Sequence, residues 1–103
     1  MVAPLRKLTL ICPREIKQTI ADALDAVEPA LPGFTVIDAE GRGPEAELAS
    51  ASERVRGAMR AAMFQIVLPA DQVAGVLDAL AKECRRPQLA YWTEPVEDFG
   101  RLT

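Results

Sequence analysis

Leu8-Thr9-Leu10-Ile11-Cys12-Pro13 and Phe64-Gln65-Ile66-Val67-Leu68-Pro69 are the two stretches on which the fold turns. Each is a short apolar, β-prone run stopped by proline. Each is followed by apolar residues three or four apart: Ile16, Ile20, Leu24, Val27 and Leu31 after Pro13, and Val73, Val76, Leu77, Leu80 and Cys84 after Pro69. That spacing predicts two amphipathic helices, each laying one face on a sheet. Pro13 suits a first helical turn, Asp71 suits an N-cap, and Pro29, Pro32 and Gly33 close the first helix. Two more strand-like runs follow the helices, over 34–40 and 88–93, rich in β-branched and aromatic residues. The order is therefore β-α-β, a connector, then β-α-β. Such a pair of units packs most simply as one α+β domain over residues 1–103: a ferredoxin-like sandwich, with a four-stranded antiparallel sheet and both helices on one face.

Composition fits a single small domain and narrows its chemistry. The chain has 103 residues, 50% of them hydrophobic, with seventeen alanines and only five aromatics. A domain of this length buries about two-thirds of its unfolded surface, so a small-residue core points to oligomerisation. There is no histidine, which excludes a Ser-His-Asp triad, a Cys-His dyad and the commonest zinc sets. A net charge of -3 argues against a general nucleic-acid or anionic-membrane binder. The apolar run near the N-terminus is too short for a secretion signal or a membrane span. The expectation is a cytoplasmic protein with Cys12 and Cys84 reduced and no insertion into the membrane.

The connector, Gly41 to Gly57, is 17 residues long. Compact domains seldom carry so long a connection without a use for it. Leu48 and Val55 are its only large apolar side chains, and glycine stands at both ends. Four acidic and four basic residues lie between Glu40 and Arg60. That mixture suits a patterned contact with a protein partner, and equally a solvated loop. The partner-loop residues are Arg42, Glu45, Glu47, Glu53, Arg54 and Arg56.

Gly33-Phe34-Thr35-Val36, then Gly41-Arg42-Gly43 and a long loop, resembles the signature of the P-II signal-transduction family. In that family a GxTV strand runs into G-x-G and the T-loop. Pro95-Val96-Glu97-Asp98 followed by Arg101 resembles the segment that closes the P-II core. With Tyr91-Trp92 before Pro95-Val96, the whole chain resembles a divergent P-II-like branch often encoded beside heavy-metal efflux systems of the RND type. The resemblance covers about residues 5–102. It implies a cytoplasmic homotrimer in which a small ligand, an adenine nucleotide in the family, binds between subunits. The loop over 41–57 then grips or releases a partner such as a membrane transporter.

Carried over by position, Thr35 matches a residue beside the nucleotide base, and Gly41 and Gly43 match the glycines at the loop base. Arg101 matches a phosphate-contacting arginine, a role suited to a forked cation. The chain departs from the family in several places, among them the T-loop, which has no modification tyrosine and offers only Ser50 and Ser52. The second arginine of the closing segment is Thr103 here. The glycine-rich phosphate loop is replaced by Lys82-Glu83-Cys84-Arg85-Arg86-Pro87, and its lysine falls at Ala90. Arg85 and Arg86 are the cations left to substitute for it, although basic residues are also favoured at any helix C-terminus.

The alternative reading is a metal-responsive module, binding copper or a similar ion and linked to metal efflux. Cys12 and Cys84 are its thiol candidates, with the loop carboxylates for a harder ion. Core packing is the simpler use of both cysteines. No nucleophile with a base beside it is visible, so the sequence does not read as an enzyme.

Overall fold

The computed structural model describes residues 4–43, 58–84 and 89–103. Its elements are β1 (Leu5–Pro13), α1 (Lys17–Asp25), β2 (Thr35–Arg42), β3 (Ala58–Pro69), α2 (Val73–Glu83) and β4 (Ala90–Val96). The strands form one sheet in the order β2-β3-β1-β4, with every neighbouring pair antiparallel. This is the expected ferredoxin-like sheet. β3 is its spine, pairing with β1 from Leu5↔Pro69 to Pro13↔Ala61 and with β2 from Thr35↔Gln65 to Arg42↔Ala58. The Ala70 N–H donates to the Pro4 carbonyl at 2.8 Å and extends the central pairing by a step.

The two halves make the same joint after their prolines. Pro13 (φ −58°, ψ 141°) and Pro69 (φ −59°, ψ 141°) leave the strands extended, and a single 3-10 turn follows each, over Arg14–Ile16 and Ala70–Gln72. Pro13 is thus the last residue of β1 rather than part of a helix, because its ψ is that of an extended chain. Asp71 lies inside the second 3-10 turn and makes no capping hydrogen bond; Gln72 stands at the N-cap of α2. The first helix also stops early. α1 ends at Asp25, and the Ala26 N–H closes its last turn on the Asp22 carbonyl at 3.1 Å. Leu31, expected on the helical stripe, packs on the core from the loop instead. The Gln72 amide donates to the Pro29 carbonyl at 2.6 Å and ties that loop to the start of α2.

Strand alternation divides the sheet into two faces. Leu8, Leu10 and Cys12 of β1, with Ala62, Phe64, Ile66 and Leu68 of β3, lie on the helix side and are buried. Ile16, Ile20, Leu24 and Val27 close over them from the first half, and Val76 and Leu80 from the second. Phe34 meets Phe64 with ring centres 5.8 Å apart, a tilted pairing. The opposite face has no helix among the described residues. No described helix is long and apolar enough to cross a membrane.

Candidate functional site

The helix-free face is apolar over much of its area. Across its middle runs the register Ile37–Met63–Ile11–Ala90, flanked by Ala39 and Ala61 on one side and by Thr9 and Trp92 on the other. Met59 and Ala61 are buried there, with Ile11 and Ala39 packed against them. Ile37 and Trp92 remain 44% and 43% exposed. Thr9 is buried, and its hydroxyl has no hydrogen-bond partner within the described chain. The Trp92 indole N–H donates to Glu94 Oε1 at 3.0 Å, and Lys7 Nζ lies 3.4 Å from the same oxygen. These hydrogen bonds, the indole first, hold the Glu94 carboxyl below its ordinary range.

A cleft opens where β2 begins, at the margin of this face. It has a volume of about 370 Å³, within the range of small-ligand sites. Pro32, Phe34, Val67 and Phe99 give it apolar walls, and Thr35, Gln65 and Arg101 bring polar groups to it. Gly33 turns the chain into the cleft at φ +140°, a conformation that L side chains rarely adopt. The C-terminal segment after β4 returns to this margin and delivers Phe99 and Arg101. The Arg101 guanidinium lies 6.0 Å from the centre of the Phe99 ring, at the limit of a cation–π contact. Among the described residues it has no carboxylate partner.

Of the residues singled out for ligand binding, Thr35 and Arg101 line this one cleft. Gly41 and Gly43 do not. They stand at the far end of β2, about 20 Å from Thr35 at strand rise. Gly41 faces Met59, where an added Cβ would lie 3.3 Å from the Met59 methyl, and Gly43 takes φ +146° as the chain leaves the strand. Arg42 reaches Glu40 at 3.4 Å. On the helix side of the same strand Asp38 lies 3.8 Å from both Arg14 and Lys17. Arg85 and Arg86 lie outside the described residues, as do Glu45, Glu47, Glu53, Arg54 and Arg56. The cleft also contains Phe99 and Gln65, which motif reading passed over. An aromatic beside Arg101 in a polar tail was the available signal for the first; Gln65 had none, lying inside an ordinary strand.

The cysteines belong to the core. Cys12 is buried and Cys84 half-buried, and both are free thiols. Cys84 packs against the cluster that contains Cys12. Burial pushes the Cys12 thiol up to about 11, which makes the thiolate that binds soft metals harder to form than at an ordinary cysteine. Among the described residues no three His, Cys, Asp or Glu side chains gather into a metal-sized group.

A family model described as "Protein of unknown function (DUF3240)" matches residues 2–103. The chain belongs to that family. A crystal structure of a DUF3240 family protein from Shewanella baltica OS155 is 31% identical, covers 100% of both chains and superposes with a TM-score of 0.79. CPII, a nitrogen regulatory PII-like protein from Thiomonas intermedia K12 bound to ADP, AMP and bicarbonate, is 21% identical over 97% of each chain, with a TM-score of 0.68. Arabidopsis thaliana PII bound to citrate is 21% identical over 97% of this chain and 84% of its own, with a TM-score of 0.72. At 21% identity the likeness is one of fold, and the fold of this DUF3240 chain is that of the PII proteins. No curated protein matches it in sequence.

Proposed function

We propose that this DUF3240 protein is a cytoplasmic P-II-like regulator and not an enzyme. In this reading it is a homotrimer whose 41–57 loop engages a protein partner under control of a small ligand bound between subunits. The observation that carries the reading is the division of the motif residues. Thr35 and Arg101 share a cleft at the margin of the bare sheet face, while Gly41 and Gly43 stand about 20 Å away along one strand. One ligand reaches both sets only if a second copy brings its loop base to the first copy's cleft. The apolar row through Ile37, Met63 and Ile11 supplies a surface for that contact. A ligand so held touches the root of a neighbour's loop, and any difference in its affinity for two loop arrangements shifts their populations. An adenine nucleotide is the ligand class favoured, in keeping with the ADP and AMP bound by CPII. The partner proposed is a membrane transporter of the heavy-metal efflux kind.

Sedimentation and titration calorimetry test this together. The full chain is expected to sediment at three times its 11.2 kDa mass and to bind at least one of ATP, ADP, AMP or cyclic AMP, with bicarbonate tested alongside. Arg101→Ala is expected to weaken the response. A monomer at micromolar concentration, or a chain that ignores every nucleotide, would remove the basis of the reading.

A further inference from the structure

The cleft carries an aromatic wall that the motif residues do not account for. Phe99 is 50% exposed although it lines a concavity with Phe34, Val67 and Pro32. Other large apolar side chains of this chain are also exposed, but Phe99 is the one among them that lines the concavity, where its open ring is a surface for a ligand to cover. Beside it, Arg101 is the only cation among the described residues that line the cleft. Its guanidinium is drawn to the Phe99 ring and is not neutralised by a described carboxylate. Thr35 and Gln65, paired across β2 and β3 on the same face, offer a hydroxyl and an amide to the space between.

These groups divide the recognition of a ligand between two chemistries. A phenyl ring stacks on a planar heterocycle through dispersion and quadrupole, with little regard to which heteroatoms the ring carries. A lone guanidinium forks one phosphate or carboxylate. We propose that Phe99 is the specificity-determining residue of the cleft, selecting ligands that carry a planar heterocyclic ring, with Arg101 taking a single anionic group. The class that satisfies both is a nucleoside monophosphate or a heterocycle of like size and charge. This rests on the reading of the cleft as the ligand site and adds to it the part of the ligand that is read and the side chain that reads it.

AMP and ribose 5-phosphate separate the two contacts, since they share the phosphate and sugar and differ in the ring. Titration of the intact protein with AMP, and competition by ribose 5-phosphate, is expected to favour AMP by about tenfold or more, the scale of one base–aromatic stack. Phe99→Ala is expected to bring AMP down towards ribose 5-phosphate, while Phe99→Trp keeps the preference. Arg101→Ala is expected to weaken both probes in parallel. Equal loss of both probes in Phe99→Ala, or no loss of AMP, would overturn the assignment while leaving the cleft as the ligand site. A wild-type protein that binds neither AMP nor any other nucleotide would overturn the site as well.

Discussion

Leu8, Leu10 and Cys12 leave β1 towards the helices, while Lys7, Thr9 and Ile11 leave it the other way, and the two sets meet different surroundings. The first set is closed over within one chain: Phe64, Ile66, Leu68, Val76 and Leu80 are all at most 2% exposed. The second set is bounded by Ile37 and Trp92, which keep over two-fifths of their surface open, by the partly buried Met63, and by a threonine hydroxyl without a partner among the described residues. The same strands thus present a finished interior and an unfinished exterior, one residue out of phase. The difference teaches that the helix side holds the chain folded, while the bare side is where a second surface gains most by docking.

Substitutions test this asymmetry in order of their effect on the chain itself. Phe64→Ala, at the centre of the covered face, is expected to cost about 3–5 kcal/mol, read from urea unfolding midpoints. A cost below about 1 kcal/mol would mean that the covered face is not the seat of stability. Cys12 gives a gentler probe of the same side. Its folded-state value near 11 exceeds the ordinary 9.0. The folded chain therefore keeps its thiol proton where the unfolded chain has lost it, and stability falls as pH rises from about 9 to 11, by at most about 1.4 kcal/mol per pH unit. Cys12→Ala is expected to remove that part of the slope, measured by thermal melts at pH 8 and pH 10. Ile37→Asp, on the bare face, is expected to change the unfolding free energy of the isolated chain by no more than about 1 kcal/mol, yet to bring the proposed trimer down to single chains in sedimentation. An unfolded Ile37→Asp chain, or an unchanged assembly, would break the contrast between the faces.

Much of the fold was legible because it is written in local periodicity. The paired βα segments, the helical stripes and the proline stops all act within a few residues. β3 was expected from Phe64 onward and in fact begins at Ala58. Its first half, Ala58-Met59-Arg60-Ala61-Ala62-Met63, has no β-branched or aromatic residue and helix-favouring composition, and becomes a strand through pairing with β2 and β1. β4 likewise continues through Pro95, tolerated there because β4 is an edge strand. The cleft was legible only in part. Thr35 and Arg101 came from motif positions, whereas the sequence marks Phe99 only as an aromatic beside Arg101; its place in the cleft comes from a tail folding back to the start of β2, a long-range event that local periodicity does not record.

Beyond Ala61 the spine outruns β1. Ala58, Met59 and Arg60 pair with Arg42, Gly41 and Glu40 alone, a two-stranded ribbon that leaves the four-stranded body. Its last pair, Arg42↔Ala58, fixes the two ends of the intervening segment at strand spacing, whatever lies between them. Loop-closure entropy grows only with the logarithm of length, so doubling that segment costs about 0.6 kcal/mol. The ribbon thereby separates the segment's length from the fold's stability: a longer or shorter segment between Arg42 and Ala58 costs the domain that carries it almost nothing.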